Sequence, residues 1–443
     1  MSFPFNILGR VFRPAQKRQI EAGGGGRRWE GATMLHAPSQ SVLVARGASK
    51  ARAEAQYVNN PIANRVVEVW TSSLAAKGWQ ARSQHPDTDI RRSLNDTFEN
   101  MVRLSLVPIV RALVRDGEAF VQLTLTAQGE LRPKLLPADQ IDPSLTRDLG
   151  GGARIVAGVE FDAEDQIVAY HVLREAPGSP FAFMGNAVRV PAVDMLHIFD
   201  PLFPGQVRGL TWLAPVLLKL RDRDEASDAM LQQLKVAALL TGFITSPDGG
   251  ATGFEGETEG SQVNVSLEPG AMRIVPPGYS VVFSKPGDGL AQTVDFLKAQ
   301  DREIASGVGL TFAMLTGDLG EANYSSERVG LLEFRRRAEM LQRNLIEAGF
   351  LRPLWRRWIE VRALAGELPH DPASLADLLA VRFVPPGWAW VDPRNDVEAD
   401  VAAINAGLKS REEVVATRGR DIDELDEERA RDGAQKPNGG TEQ

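Results

Sequence analysis

The feature that most constrains the fold is a long helical stretch that begins near Asn323 and continues to about residue 363. Its apolar residues recur at alternating spacings of three and four, a pattern typical of a helix with one buried face. Asn323 or Ser325 can cap the first turn with a side-chain oxygen. We expect a helix roughly 36 Å long over residues 325–348, because each residue adds about 1.5 Å. The residues of this apolar face are Leu331, Phe334, Ala338, Leu341 and Leu345.

Two residues interrupt the helical pattern further along. Pro353 lacks an amide hydrogen and its ring clashes with the preceding turn, so we expect a kink near Gly349 and Pro353. The stretch is longer than most helices of globular proteins. Nine arginines, from Arg328 to Arg362, and five glutamates lie on the remaining surface, so a long surface helix with solvated charges is the competing interpretation. The second apolar face comprises Leu351, Leu354, Trp355, Trp358 and Ile359.

Composition narrows the class of protein. The chain has 443 residues, enough for two or three domains. It has no cysteine, which excludes disulfides, thiolate nucleophiles and cysteine-based metal sites, and its five histidines show no metal-ligand spacing. No apolar run reaches the roughly 18 residues of a membrane span, so we expect no membrane contact and a cytoplasmic origin. The formal net charge of −8 argues against a monomer that grips nucleic acid through a broad basic face, but not against a protein past which DNA slides.

The first part of the chain predicts a basic arm followed by an α+β domain. Residues 1–28 contain six Lys or Arg and one Glu, and with their glycine run they predict a mobile arm. From Gly47 a helical pattern leads to Asn60, which can cap a second helix that begins at Pro61. The further predicted elements are a helix over 89–115, bent at Pro108, and strands over 119–125, 131–136, 156–161, 167–173, 187–190 and 195–199.

The second part predicts two helices that flank a small β insertion. The charged residues 221–225 in the middle of the first helix predict a solvated stretch or a contact with a neighbouring copy. A glycine-punctuated loop then leads into the long helix. The predicted elements are helices over 211–240 and 294–308, the insertion over 245–291, the loop over 309–322, strands over 382–384 and 388–391, and helices over 396–406 and 421–432.

Six short motifs, in this order, resemble the lambda family of tailed-phage portal proteins. Each motif alone is a weak signal, but together they extend over roughly residues 42–430. The chain is shorter at its C-terminus than is typical of such proteins, so the resemblance implies a small C-terminal crown. The motifs are Asn59-Asn60-Pro61, Asp116-Gly117-Glu118, Gly158-Val159-Glu160 with Ala169-Tyr170-His171-Val172, His197-Ile198-Phe199, Gly205-Gln206-Val207-Arg208-Gly209 and Tyr324-Ser325-Ser326.

The resemblance implies an α+β portal fold with a wing, a helical stem, a small β clip, a long kinked helix and a helical crown. The order of the predicted elements matches this division. The implied regions are a basic arm (1–28), the wing (29–205), the first stem helix (206–244), the clip (245–291), the second stem helix (292–309), a tunnel loop (310–324), the long kinked helix with its return to the wing (325–394), the crown (395–432) and a disordered tail (433–443).

The resemblance also implies a function and a set of partners. Twelve copies would form a ring at one capsid vertex of a phage, a prophage or a gene transfer agent, after assembly in the host cytoplasm. In this ring neighbouring copies, rather than the chain's own interior, would cover the surfaces of the long helix and the stem helices. Double-stranded DNA would pass through the ring without sequence preference during packaging and ejection. The partners would be the major capsid protein, the large terminase and a head-completion or adaptor protein, and no cofactor or metal is implied.

Specific residues follow from these roles. The tunnel-loop residues that would face DNA are Leu315, Thr316, Gly317, Asp318 and Leu319. The loop is longer than most helix connections, although an ordinary connection is the competing interpretation. Arg328 and Arg335 could contact phosphate, or could instead form salt bridges to Glu327, Glu333 or Glu339. The clip surface that would dock partners comprises Pro276, Pro277, Gly278 and Tyr279.

Two other functions remain as alternatives. One is a phage DNA-processing enzyme, such as a nuclease or maturation protease, and the other is a virion scaffold that forms no ring. The sequence contains no phosphate-binding G-x-x-x-x-G-K-S/T motif and no G-x-S-x-G motif. Asp116 and Glu118 more simply flank a turn than act as a catalytic pair, and His197, near Asp200 and Ser179, is more simply a satisfied histidine at a strand end. We therefore expect no catalysis.

Overall fold

The computed structural model describes residues 37–76, 78–180, 187–238, 290–320, 324–369, 371–389 and 392–435, together with the backbone of four short strands between residues 242 and 283. The helices are α1 (Pro38–Asn59), α2 (Pro61–Ala75), α3 (Thr88–Arg103), α4 (Leu106–Asp116), α5 (Leu217–Ala238), α6 (Leu290–Val308), α7 (Phe312–Thr316), α8 (Tyr324–Leu341), α9 (Arg352–Leu364), α10 (Pro372–Leu379), α11 (Pro393–Asn405), α12 (Arg411–Thr417) and α13 (Ile422–Gln435). A π-helical segment, Gln342–Leu351, joins α8 to α9.

The strands form antiparallel sheets, which confirms the predicted α+β class. A three-stranded sheet has the order β3-β2-β9, and a five-stranded sheet has the sequential order β4-β5-β6-β7-β8. Three two-stranded sheets pair β1 with β14, β10 with β13 and β11 with β12. The strands are β1 (Gln80–Ser83), β2 (Glu118–Leu125), β3 (Leu131–Leu136), β4 (Arg147–Gly150), β5 (Ala153–Val156), β6 (Val159–Phe161), β7 (Ile167–Val172), β8 (Val188–Pro191), β9 (Met195–Phe199), β10 (Gly242–Thr245), β11 (Glu257–Glu259), β12 (Gln262–Asn264), β13 (Ser280–Phe283) and β14 (Val381–Val384).

The described residues form two hydrophobic cores. The larger core joins α2, α3 and α4 to α8, the π-helical segment and α9, with Trp70 and Trp355 fully buried in it. The smaller core lies where β2 and β9 meet the five-stranded sheet, around Phe120 and Tyr170. Because β2 contributes alternate side chains to both cores, it ties the helical layer to the sheets.

The start of α2 confirms the predicted cap. The Asn60 side-chain oxygen accepts hydrogen bonds from the amides of Ile62 (2.8 Å) and Ala63 (3.0 Å). The single helix predicted over 89–115 is wrong, because Leu104 and Ser105 separate α3 from α4. Pro108 does not bend a helix there. It lies in the first turn of α4, where a missing amide hydrogen breaks no hydrogen bond.

Two strand predictions also need correction. The predicted strand 156–161 divides at Ala157 and Gly158, which both have positive φ and form the turn between β5 and β6. No strand follows Trp388 within residues 385–389, and residues 390–391 lie outside the described part. The partner of β14 is instead β1, whose four residues are too short to show a periodic pattern.

The long helical stretch is present, and a π-helical segment takes the place of a sharp kink. Residues of its predicted apolar face, including Phe334 and Ala338, are buried in the chain's own larger core. The expectation that neighbouring copies cover this face is therefore wrong. α8 packs against α2, and Phe334 of α8 contacts Trp70 of α2. The apolar face of α8 is therefore covered by other residues of the same chain.

Unlike α8, the described residues of α5 and α6 are buried within the chain only near the body of the molecule. Near the body of the molecule, Leu220, Ile304 and Val308 are buried. Beyond them, neither the α5 residues 221–235 nor the α6 residues 294–300 include a buried side chain. The two helices therefore run side by side away from the core of the single chain.

Candidate functional site

A buried ionic cluster lies where α5 leaves the body of the molecule. At its centre Glu118, the first residue of β2, is 1% exposed. Its carboxylate accepts hydrogen bonds from Arg208 Nη2 at 2.8 Å, Arg46 Nε at 2.9 Å and the amide of Gly209 at 2.8 Å. His197 Nε2 lies 3.1 Å from the second carboxylate oxygen. We call Glu118, Arg46, Arg208 and His197 the Glu118 cluster.

The Glu118 cluster joins four parts of the chain. Arg46 comes from the middle of α1, Glu118 from β2 and His197 from β9, while Arg208 precedes the turns that lead into α5. Arg208 also donates to the carbonyl oxygens of Ala138 (2.8 Å) and Ala157 (2.8 Å). The cluster therefore fixes the root of α5 to the helical layer and to both large sheets.

Two glycines allow this close approach. Gly117 ends α4 with φ +90°, and a Cβ atom there would overlap the backbone of Leu210. A Cβ atom on Gly209 would overlap the backbone of Gly117 in turn. Two of the sequence motifs, which carry Gly117 and Gly209, are thus in direct backbone contact, and only glycine fits at the crossing.

Electrostatics keep the carboxylate ionised. Burial alone would raise the pKa of Glu118, but Arg208, the hydrogen bond from His197, and Arg46 outweigh it and hold the pKa well below its ordinary value. Burial likewise lowers the pKa of His197, more than the attraction of Glu118 raises it. A neutral imidazole then donates from Nε2 to the carboxylate, so that its Nδ1 is left without a hydrogen-bond partner among the described residues.

This arrangement does not resemble acid-base machinery. Asp116 forms two hydrogen bonds with the neighbouring Arg115, at 2.6 and 2.7 Å, and does not join Glu118. Gly117 forms the predicted turn between them. The His197 ring is stacked between Phe120 and Phe199 at centroid distances of 4.1 and 4.6 Å, which closes its faces to a substrate. Among the described residues no group of three or more His, Asp or Glu could hold a metal ion.

The charged stretch of α5 makes contacts within the chain. Arg223 pairs with Asp301 of α6 at 2.6 Å, and Asp224 accepts a hydrogen bond from Asn60 at 2.7 Å. The prediction of a purely solvated stretch or an inter-copy contact is therefore wrong for these residues. They attach α5 to α6 and to the start of α2, an arrangement that sequence spacing within one helix does not reveal.

The predicted tunnel loop is partly helical. Thr311 caps α7 by accepting a hydrogen bond from the amide of Met314, and Gly317, with φ +74°, ends the helix. Leu315 is 2% exposed and packs in the larger core, so the expectation that it faces DNA is wrong. Leu319, in contrast, is 69% exposed. Of the five predicted residues, Thr316 is half-buried, whereas Gly317 and Asp318 are exposed like Leu319.

The two arginines predicted near DNA already have partners. Arg328 pairs with Asp396 of α11 at 2.9 Å rather than with a glutamate of its own helix. Arg335 donates to the carbonyl oxygen of Ala389 at 2.8 Å and lies over the Trp388 ring. Both arginines hold the segment near α11 against α8. Contact between these two arginines and phosphate stays a prediction, and phosphate would have to compete with the partners that they have within the chain.

The exposed arginines of the long helix are different residues. Arg336 in α8 and Arg343 in the π-helical segment are both exposed. Neither forms an ion pair with another residue of the described ranges. Sequence reasoning missed them because nothing in the pattern of nine arginines distinguishes the paired members from the others.

The other predicted sites lie outside the described residues. These are the clip residues Pro276, Pro277, Gly278 and Tyr279, and the basic arm over residues 1–28. At the clip position the backbone does contain paired strands, with Phe243 of β10 opposite Val282 of β13. No helix in the described part of the chain is long and apolar enough to span a membrane.

In the described part of the chain, the helix pair α5 and α6 extends from an α+β body, and its outer side chains are not buried within the single chain. Comparison with known proteins defines the class further: a model of the lambda family of phage portal proteins matches residues 25–342. The chain therefore belongs to the lambda family of phage portal proteins. Proteins of this family are structural components rather than enzymes.

Individual relatives are similar over much of their length. The probable portal protein of Halomonas phage phiHAP-1 is 26% identical, over 94% of this chain and 85% of that protein. Portal protein B of Escherichia phage lambda is 23% identical, over 70% of this chain and 64% of that protein. Among solved structures, a chain of the neck of a native gene transfer agent particle, computed with C12 symmetry, is 16% identical with a TM-score of 0.44, over 85% of this chain and 92% of that chain.

Proposed function

We propose that this portal protein forms a dodecameric ring at one vertex of the capsid of a phage, prophage or gene transfer agent. The ring is the channel through which double-stranded DNA enters during packaging and leaves during ejection. The protein is thus located in the virion after assembly in the host cytoplasm.

The exposed apolar side chains of α5 and α6 are the observation that supports the proposed ring. Leu231 and Leu234 of α5 are 49% and 40% exposed, and Phe296 of α6 is 52% exposed. Fully burying such a side chain stabilises a protein by roughly 1.5–3 kcal/mol, and the single chain does not gain much of this stabilisation because the side chains stay exposed. Packing against the same helix pair of adjacent copies would supply the missing contacts around a closed ring.

The proposed passage of DNA rests on charge and on the loop before α8. A formal charge of −8 per chain disfavours tight phosphate binding, which would stall a moving polymer. Asp318 and Leu319 project from the exposed end of the predicted tunnel loop. Arg336 and Arg343 are better candidates for transient phosphate contacts than Arg328 and Arg335, because the latter pair must first release the partners described above.

The remaining regions are assigned by their position in the chain. The segment between α5 and α6 acts as the clip, which docks the large terminase during packaging and a head-completion or adaptor protein afterwards. The wing contacts the major capsid protein, and α11, α12 and α13 form the small crown. We keep the boundaries predicted from the sequence, with the wing over 29–205, the stem over 206–244 and 292–309, and the crown over 395–432.

Electron microscopy of the purified protein tests the ring. We expect particles with twelve-fold symmetry and a central hole wide enough for duplex DNA, and class averages report both directly. Monomers or dimers at every salt concentration and protein concentration would contradict the proposal, and would favour a scaffold that forms no ring.

A further inference from the structure

The short helix α7, which lies in the first half of the predicted tunnel loop, is held in place by side chains of α2. α7 has five residues, and a helix of that length is not stable in isolation. Its residues Ala313 and Leu315 are buried, and α7 packs against both α2 and α6. The position of α7 therefore depends on its contacts with these two helices.

The first of these contacts lies where the chain leaves α6. Trp70 Nε1 donates a hydrogen bond to the carbonyl oxygen of Val308, the last residue of α6, at 3.1 Å. Carbonyl groups in the last turn of a helix have no partner within that helix, so this bond satisfies one of them. Trp70 is fully buried and packs against Phe334 of α8, with 4.9 Å between the ring centroids. The start of the predicted tunnel loop is thus fixed in the larger core.

The second contact lies near the other end of α7. Arg65 Nε, also from α2, donates a hydrogen bond to the carbonyl oxygen of Met314 at 2.9 Å. If α7 continued, the amide of Asp318 would bind this carbonyl, but that amide donates to Thr316 Oγ1 at 3.1 Å instead. Arg65 therefore supplies the partner that the end of the helix lacks.

Gly317 separates the fixed part of the loop from the exposed part. It has φ +74°, and a Cβ atom there would meet open space. Asp318, Leu319 and Gly320 are exposed, and the amide of Gly320 donates to Asp318 Oδ1 at 2.8 Å, a contact within the tip itself. The direction in which the tip leaves the body therefore follows from the orientation of α7.

We propose that Arg65 is a positioning residue for the tunnel loop. Its hydrogen bond to Met314 holds α7 in one orientation, so that the residues after Gly317 enter the channel at a fixed place. Arg65 is exposed and forms no ion pair with another residue of the described ranges, so water can replace this hydrogen bond at little cost in stability. This inference rests on the proposed passage of DNA past Asp318 and Leu319.

Two substitutions separate the hydrogen bond from the charge. In Arg65→Gln the side-chain nitrogen is as many bonds from the backbone as Arg65 Nε, so it can still donate to Met314 without a positive charge. In Arg65→Met a methyl group takes that position, and both the hydrogen bond and the charge are lost. Arg52→Met is the matched control, because Arg52 is an exposed arginine of the neighbouring helix α1.

Hydrogen exchange of the purified full-length protein reports on α7 independently of DNA. The amides of Leu315 and Gly317 form hydrogen bonds within α7 and its caps. In Arg65→Met they should exchange at least about threefold faster, because α7 opens more often, whereas Arg65→Gln and Arg52→Met should change the rate less than about 1.5-fold. The melting temperature should be the same in all three variants.

Two exchange results would overturn the proposal. One is a natural rate in Arg65→Met, which would mean that the hydrogen bond does not hold α7. The other is an equal increase in Arg65→Gln and Arg65→Met, which would mean that the charge, rather than the hydrogen bond, determines the position of α7.

The amount of DNA that capsids protect from nuclease measures the consequence for the ring. Arg65→Met should reduce it to about half or less, while Arg65→Gln should fill normally and electron microscopy should show rings in both. Reduced filling in both variants would indicate direct contact between the charge and phosphate, and would overturn the proposal. Normal filling by Arg65→Met despite faster exchange would overturn it as well, because the position of α7 would then not matter.

A separate variant distinguishes failure of this inference from failure of the proposed function. Normal filling by Asp318→Ala/Leu319→Ala would contradict the passage of DNA past the tip of the loop. The exchange rates of the Arg65 variants would still decide whether Arg65 holds α7, because they are measured without DNA.

Discussion

Glu118 shows how single residues organise this molecule. Removing one partner from a buried ion pair leaves the others desolvated and uncompensated, which costs far more than the pair contributes when it is complete. Arg208 and Arg46 both direct guanidinium groups at this one carboxylate. The cluster is therefore sensitive to any change of charge.

Glu118→Gln should lower the free energy of unfolding by about 3–5 kcal/mol. The matched control is Glu225→Gln, because Glu225 forms an exposed ion pair with Arg221 one helical turn away. The control should change stability by at most about 0.5 kcal/mol. Denaturant titration of both variants measures the difference, and similar small effects in both would show that Glu118 is not the hub of the cluster.

The two titratable members of the cluster predict a loss of stability in acid. His197 has a folded pKa below its ordinary value of 6.5, so the unfolded chain takes up a proton first as the pH falls below that value. Glu118 has a folded pKa below its ordinary value of 4.5, so its contribution is complete above that value and is lost as the pH falls further.

His197→Gln keeps a donor near Glu118 but cannot titrate. We expect the free energy of unfolding of the natural chain to decrease between about pH 7 and about pH 5, and this decrease to be smaller in the variant. Denaturant titrations across this range measure both slopes. Identical slopes would mean that His197 does not titrate differently in the folded and unfolded chains.

The crossing of Gly117 and Gly209 predicts a steric effect. Gly209→Ala places a Cβ atom on the Gly117 backbone, so we expect a loss of stability of about 3 kcal/mol or more, or failure to fold. Gly47→Ala is the control, because Gly47 lies within α1 with open space around it. That substitution should stabilise the chain by about 0.5–1 kcal/mol. A tolerated Gly209→Ala, judged by the melting temperature, would contradict the close crossing.

At the scale of elements, the contrast between α8 and the α5-α6 pair matters most. The apolar face of α8 is satisfied inside the chain, whereas the outer parts of α5 and α6 are not. Assembly should therefore depend on α5 and α6, and folding on α8.

Leu231→Asp/Leu234→Asp should abolish the ring without lowering the melting temperature of the monomer. Charge placed at positions that pack between copies cannot be solvated there, but it is harmless where a single chain leaves them exposed. Light scattering and electron microscopy measure assembly. Leu202→Asp, at an exposed position of the body, is the control and should still form rings. Rings from the double variant would place the interface elsewhere.

Local signals in the sequence predict some of the secondary-structure elements and miss others. The Asn60 cap, the strands β2, β3 and β9 and the helical pattern of α8 follow from side-chain type and periodicity, which act over a few residues. Pro108 and Gly158 gave misleading or incomplete signals, because a proline is tolerated in a first helical turn and a short turn can divide a strand. β1 and α12 are too short for a periodic pattern.

At the scale of the whole molecule, the predicted tunnel loop has one part that stabilises the fold and another that is free to contact DNA. Leu315 belongs to the core, whereas Asp318 and Leu319 are exposed at the far end of the loop. Deleting the loop as one unit would confuse loss of folding with loss of DNA passage, so the two parts require separate variants.

Asp318→Ala/Leu319→Ala should leave stability and ring assembly unchanged and should reduce the amount of DNA that capsids protect from nuclease. Leu315→Ala should instead cost about 2–5 kcal/mol of stability, because it opens a cavity in the core. Nuclease protection and denaturant titration distinguish the two effects. Normal DNA filling by the double variant would show that these exposed residues have no part in the passage of DNA.

The sequence by itself determined the α+β class, the caps and main periodic elements, and the order of motifs that points to the lambda family of portal proteins. These properties depend on neighbouring residues and on motif order, both of which can be read along the chain. Only the tertiary structure decided that Arg46, Glu118, His197 and Arg208 meet in one buried cluster, and that the face of α8 is covered within the chain. The physical reason is that burial and ion pairing depend on which distant segments pack together, and residues separated by 72 and 90 positions carry no local sign that they will.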